Sequence, residues 1–223
     1  MIGKKNYLKL KEELGSKVEL VAVSKRQPLE KIHELYEYGQ RIFGESYAQA
    51  LRERPDETNR KDINWHMLGH LQKNKVKYIA PFVDLIHSVD SLSLLQIINK
   101  EATKTNRSID CLLQIHIASE ESKFGLDFEE AHSILESDEM KDMTHIRIRG
   151  LMGMATFTND HQLVRKEFKG LRIFFEEVKQ SHFTSDEHFS ILSMGMTDDY
   201  MIAVDEGSTM VRIGTLLFGE RSY

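Results

Sequence analysis

Apolar runs of strand length alternate with helix-period patterns along the sequence. The runs at 18–23, 41–43, 63–68, 85–89, 109–117, 146–154, 189–194 and 210–217 are short and bounded by turn or capping residues, so they predict eight strands. Between the first two, residues 29–38 set Leu29, Ile32, Leu35 and Tyr36 on one helical face, with Gly39 as a stop. Ser91 is placed to cap a helix over 92–101, and Asp160 to cap the longest pattern, which runs to about 180. Strands separated by helices pair in parallel through right-handed crossovers, and eight such units predict an α/β fold closed into one (βα)8 barrel of the TIM type. An open doubly wound sheet is the alternative on periodicity alone. After the eighth run only 219–223 remain, too little for an eighth outer helix, and the helical pattern at 4–14 is expected to cover that gap. No linker, low-complexity stretch or sharper repeat divides the sequence, so one domain over 1–223 is expected.

Composition narrows the partners. A chain of 223 residues with 40% hydrophobic and 9% aromatic content can bury a core without disulfides or metal. A formal charge of −5 and a pI near 6.1 lack the basic footprint of a general nucleic-acid binder, yet leave room for a local basic pocket and a small phosphorylated ligand. The lone Cys111 sits inside an apolar run and reads as a packing residue. The N-terminal stretch has no apolar core or cleavage pattern of a secretory signal, and no apolar run approaches the ~18 residues of a membrane span. The expectation is a soluble, cytoplasmic monomer that binds neither nucleic acid nor membrane.

In a parallel barrel the chemistry lies where the strands end and the βα loops converge. Of the eight ends, the first alone carries a lone amine directly after a hydrophobic strand, Lys25 in VELVAVSK. An imine-forming lysine must be partly desolvated, which this position allows without proving it. Ser193–Gly195 and Gly214–Thr215 follow the seventh and eighth strands, the common phosphate site of this fold, and Thr-Asp-Asp opens a helix beside them. Ser193 and Thr215 read equally well as loop caps or phosphate ligands. Arg212, within an apolar strand, is either half of an internal ion pair or a donor aimed into the barrel mouth. His66 and His70 have the spacing of a helical zinc pair, but NWHMLGH reads as a strand entering a turn, so the rings do not share a face and zinc is not expected. His87 and His116 read as hydrogen-bonded barrel residues. Met152, Met154, Met194 and Met196 are expected to pack near the mouth. The run 120–123 reads as a solvated loop from which Lys123 could reach an anion.

These residues carry a resemblance. VAVSK ending at Lys25, FGES at 43–46, WHMLGHLQKNK at 65–75, SKFG at 122–125, RGLMGM at 149–154, SMGMTDDY at 193–200 and GSTMVRIGTLLFG at 207–219 resemble, in order, the pyridoxal phosphate homeostasis protein family, small barrels related to the N-terminal domain of alanine racemase. The resemblance runs from about Val18 to the C-terminus. It implies that Lys25 holds pyridoxal 5′-phosphate (PLP) as an imine, that Arg212 faces the pyridine nitrogen, and that Gly214, Thr215, Ser193 and the backbone at Met194 cradle the phosphate. The family has Gly-Glu-Asn after the second strand where this sequence has Gly-Glu-Ser, so a cofactor contact at Ser46 is shortened or bridged by water. Thr197 replaces a serine and keeps the hydroxyl.

The implied role is a non-enzymatic PLP carrier in vitamin B6 homeostasis, with PLP-dependent apoenzymes as possible recipients. An arginine can only donate, so it holds the pyridine nitrogen unprotonated and weakens the electron sink that α-carbon chemistry needs. The alternative is an amino-acid racemase. Against it stand the absence of sequence for a second domain after the barrel and of a tyrosine or cysteine at a strand end to serve the opposite face, Tyr47 being expected to pack outward. A third reading is a barrel enzyme acting on a small phosphorylated metabolite without PLP.

Overall fold

The computed structural model describes residues 1–119 and 124–219. The strands β1 (Glu19–Val23), β2 (Ile42–Glu45), β3 (Asn64–Met67), β4 (Leu85–Val89), β5 (Ile109–Ile115), β6 (Ile146–Gly153), β7 (Ile191–Ser193) and β8 (Met210–Ile213) pair in sequence order, all parallel. β8 returns to β1 from Glu19↔Met210 to Ala22↔Ile213, which closes the barrel and excludes the open sheet.

Outside lie α1 (Lys4–Leu14), α2 (Leu29–Glu37), α3 (Ala48–Thr58), α4 (Val76–Ile79), α5 (Leu92–Lys104), α6 (Phe128–Glu136), α7 (Asp138–Lys141), α8 (His161–His182), α9 (Tyr200–Asp205) and one last turn, α10 (Thr215–Phe218). Local chemistry sets their starts. Ser91 Oγ accepts from Leu94 N–H at α5, Asp127 and Glu130 form a reciprocal capping box at α6, and Asp160 accepts from Gln162 and Leu163 N–H at α8. α8 buries Val164, Phe168, Leu171, Phe174, Phe175 and Val178, a stripe of helical period that seals it onto the barrel wall.

α1 takes the outer position that β8 leaves open. It buries Tyr7, Leu10 and Leu14. Tyr7 Oη donates to Gln40 Oε1 at 2.9 Å, and Ile2 N–H donates to Leu217 O at 2.8 Å.

Several strand ends differ from the sequence expectation, the fifth strand among them, which stops at Ile115 and not 117. The eighth strand stops at Ile213, not 217, because TLLF folds as a helical turn that buries Leu217 and Phe218 and exposes Leu216. A short apolar run does not by itself distinguish those two conformations. β2 extends to Glu45, two residues past the expected end, and carries a buried carboxylate into the wall. β7 is shorter than expected, at Ile191–Ser193.

The core has two parts. Val21, Leu85, Leu112, Met152 and Met210 pack inside the barrel, and a larger cluster fills the space between sheet and helices. Cys111 belongs to the outer cluster, where burial pushes its thiol well above the usual range, away from nucleophilic use. No helix among the described residues is long and apolar enough to cross a membrane.

Candidate functional site

A cavity of about 380 Å³ opens at the C-terminal mouth of the barrel. Lys25, Ser46, Arg212, Gly214 and Thr215 line it together, from the ends of three strands, β1, β2 and β8. Leu68, Met154, Met196, Phe124 and Phe157 supply its apolar surface, and Gln114, His70, Thr197, Asp198 and Asp199 its further polar groups.

Lys25 is presented by a tight turn. Gln27 N–H donates to Ser24 O at 3.0 Å, and Arg26, the third residue of the turn, has φ +59°, in the left-handed region that non-glycine residues avoid. The turn is braced from below. Glu45 Oε1 accepts from Ser24 Oγ at 2.9 Å and from Arg54 Nε at 2.8 Å, while Arg54 Nη2 also donates to Gln27 O at 3.1 Å. Glu45 is fully buried and its Oε2 has no hydrogen-bond partner, so burial raises its pKa against the lowering pull of Arg54. The Glu45–Arg54 bracket was not visible in sequence, since its halves lie nine residues apart on a strand and a helix.

Arg212 lines the cavity and is held by neutral acceptors. No ion pair joins it to a carboxylate among the described residues; Nη1 donates to Ser193 Oγ at 2.7 Å and Nη2 to Gly153 O at 3.1 Å. Asp199, across the cavity edge, acts only through longer-range attraction. Burial pulls the guanidinium down to about 10, which leaves it a full cation at neutral pH.

Behind Arg212 runs a buried polar row. Ser193 Oγ lies 3.1 Å from His87 Nδ1, and His87 Nε2 lies 3.0 Å from His66 Nδ1. A guanidinium can only donate, so Ser193 accepts from Arg212 and turns its own proton toward His87. His87 Nδ1 is then the acceptor, and its Nε2–H donates to His66 Nδ1. Burial holds both rings neutral, His66 with its pKa pulled down to about 3 and His87 well below the ordinary histidine value, pushed further by His66 and Arg212.

Two of the residues expected at the phosphate lie one layer below the cavity lining. Ser193 is fully buried beneath the cavity with its hydroxyl committed to Arg212 and His87, and it does not line the mouth. Met194 is also buried, and its N–H donates to Met210 O at 3.2 Å within the barrel ladder. Inward alternation along β7 is the reason: Ile191 and Ser193 face the barrel interior, Leu192 and Met194 the helices. Gly214 and Thr215 remain at the mouth, where Gly214 precedes the last helical turn.

Around the rest of the rim, Gly195 has φ +97°, and a Cβ there would lie 2.6 Å from that of Ala203, so the β7 loop requires glycine to turn. Asp199 accepts from Met196 N–H at 2.5 Å, and burial raises its pKa. His70 Nδ1 lies 3.0 Å from Asp90 Oδ2, and its ring stacks on Phe124. His66 and His70 are thus separated, one inside the barrel and one on its rim. Of the four methionines placed near the mouth, Met154 and Met196 line the cavity, Met152 fills the barrel interior and Met194 joins the outer core. Tyr47 is 56% exposed and does not line the cavity. Lys123 and the rest of 120–123 lie outside the described residues.

Comparison with known proteins agrees with this architecture. The alanine racemase N-terminal domain family model matches residues 4–222. The pyridoxal phosphate homeostasis protein of Aquifex aeolicus is 37% identical over 204 residues, covering 92% of this chain and 87% of that protein. That of Escherichia coli K12 is 32% identical over 209 residues, with 92% and 87% covered. Among solved structures, PipY of Synechococcus elongatus PCC7942 with PLP bound superposes with a TM-score of 0.88 at 34% identity, covering 97% of this chain and 99% of that one. Alanine racemase of Clostridium difficile 630 shares the fold, with a TM-score of 0.74 at 15% identity over 99% of this chain and 56% of that one.

Proposed function

Because this chain belongs to the pyridoxal phosphate homeostasis protein family, we propose that it binds PLP at the barrel mouth and acts in intracellular PLP homeostasis without enzymatic turnover. The observation that carries the reading is the convergence of Lys25, Arg212, Gly214 and Thr215 on one cavity of about 380 Å³. That donor set suits the cofactor: one amine, one permanent cation that only donates, and a glycine–hydroxyl pair at the start of a helical turn. When bound, PLP supplies a reversible aldehyde and a pyridine ring whose electron demand depends on protonation of its nitrogen.

Lys25 would be the amine that holds the cofactor through its aldehyde. The Glu45–Arg54 bracket holds the turn that presents this amine. Arg212 donates toward the ring nitrogen, with Ser193 and Gly153 O fixing its guanidinium plane from behind. Gly214 and Thr215 hold the phosphate, and Ser46 closes the remaining side of the cavity. Ser193 and Met194 support this site from one layer below. A carrier of this kind works as a cytoplasmic monomer, and PLP-dependent apoenzymes are the recipients it suits.

Borohydride reduction of the PLP-loaded protein, followed by peptide mapping, is expected to leave a pyridoxyl group on Lys25. A label on Lys73 with Lys25 unmodified overturns the assignment. Thr215→Glu sets a negative charge beside the phosphate and is expected to weaken PLP binding at least tenfold with the fold intact.

One observation favours a racemase as the second reading. Among the described residues no tyrosine or cysteine lines the cavity, but His70, oriented by Asp90, does. Incubation with L-alanine in deuterated water separates the readings. Turnover of about one per second or more, lost in both Lys25→Ala and His70→Ala, replaces the carrier with the racemase.

A further inference from the structure

On the outer surface, outside the cavity at the mouth, α6 and α8 bring a second group of titratable side chains together. His132 and Glu136 stand four residues apart on α6 and share one face. His182 is the last residue of α8. His132 Nδ1 lies 2.9 Å from His182 Nε2, and one ligand atom from each of His132, Glu136 and His182 falls within 4.8 Å of the others. Glu177, one turn back along α8, has Oε1 3.4 Å from His132 Nε2.

The geometry points to a divalent transition-metal site, of the zinc class, formed by His132 Nδ1, His182 Nε2 and the Glu136 carboxylate, with Glu177 as the carboxylate that orients His132. Two imidazoles and a carboxylate are the donor mixture that zinc takes with one coordination position left for water. Bonds of about 2.0–2.1 Å set two nitrogens of a tetrahedral site about 3.3 Å apart, so the rings need to separate by only about 0.4 Å. Glu177 completes the argument, since a carboxylate on Nε2 keeps the proton there and leaves the Nδ1 lone pair for the ion. Without the ion, Nδ1 accepts the Nε2–H of His182; binding moves that proton to His182 Nδ1, and the metal takes its place between the rings. None of the three ligands is closed off, His132 and His182 being half-buried and Glu136 exposed, so the ion has a route in.

Such an ion would pin α6 to the end of α8. The test is calorimetric titration of the full-length protein with zinc chloride, alongside thermal unfolding. One ion per chain is expected, with a rise in Tm of about 5–10 °C at a hundredfold excess over Kd. His132→Ala and His182→Ala should abolish both signals, Glu136→Gln should weaken binding at least tenfold, and Glu177→Gln should weaken it about tenfold. Lys25→Ala, which removes the amine at the mouth, should leave zinc binding unchanged. Glu136→Gln is isosteric on an exposed side chain, so it decides the matter even if a histidine variant is poorly folded. Absence of saturable binding, or 1:1 binding that persists in His132→Ala, His182→Ala and Glu136→Gln, overturns the site, as does loss of binding in Lys25→Ala.

Discussion

Two pairs of histidines in this molecule bring ring nitrogens to the same distance, 3.0 Å for His66–His87 and 2.9 Å for His132–His182, in opposite surroundings. The inner pair lies in the barrel wall, His87 fully buried, and its neighbours are a hydroxyl and a guanidinium. The outer pair lies between two helices at the surface, and its neighbours are carboxylates. Burial keeps the inner rings neutral, the cation beside His87 adds a smaller push in the same direction, and the rings serve as polar rivets for Arg212. Carboxylates beside the outer pair do the reverse and favour a cation. Equal geometry therefore yields a fixed hydrogen-bond row in one place and a ligand set in the other, and burial first, then the charge of the nearest neighbour, decides which.

The sharpest way to break that contrast is to delete one ring from each pair. His87→Leu leaves Ser193 Oγ with a proton it cannot donate and His66 Nδ1 without a donor, both sealed from water. Two such losses at about 1–3 kcal/mol each predict a total of roughly 2–6 kcal/mol, read by urea unfolding. The row also fixes tautomers, so nitrogen chemical shifts should show the proton of His87 on Nε2. A proton on Nδ1 would mean that Ser193 does not pass on the polarity of Arg212.

Acid sharpens the contrast next. The folded pKa of His66, about 3, and that of His87, also depressed, lie below the unfolded value near 6.5, so the fold favours the neutral rings. Stability from this source is complete above about pH 6.5 and falls as pH drops toward the folded values, because the unfolded chain takes up protons that the fold refuses. Each histidine contributes a slope of up to about 1.4 kcal/mol per pH unit in that window. His66→Gln should remove one proton's worth of slope between pH 6.5 and 5, whereas an unchanged slope would place the acid sensitivity elsewhere.

Much of this architecture was legible in the sequence, for reasons that particular residues illustrate. The barrel could be read because each apolar run ends at a turn or cap, and Lys25 stood out because an amine directly follows a hydrophobic strand. The alternation that makes β7 legible as a strand also turns Ser193 inward, to a depth that its place at a strand end did not disclose. The end of β8 was lost because TLLF is apolar in either conformation. Glu45 with Arg54, and His87 with Ser193, escaped because their meaning lies in partners that only the closed barrel brings together.

The smallest expected effect concerns the outer pair without metal. His132 and His182 are half-buried, their carboxylate neighbours reach solvent, and water can replace whatever a substitution removes. A pair of that kind resembles an exposed ion pair, whose coupling is typically about 0.2–1 kcal/mol. His182 does feel its neighbour, since burial first and His132 second lower its pKa, while Glu136 opposes them. In a double-mutant cycle of His132→Gln and His182→Gln, with chelator present, the coupling should stay within about 0.5 kcal/mol at pH 7.5, and each single variant should cost less than about 1 kcal/mol. Repeating the cycle with zinc should raise the coupling several-fold, since either substitution then forfeits the ion's whole contribution. If the chelated protein already shows a coupling as large as that at His87, the two pairs are equally structural and the contrast between them fails.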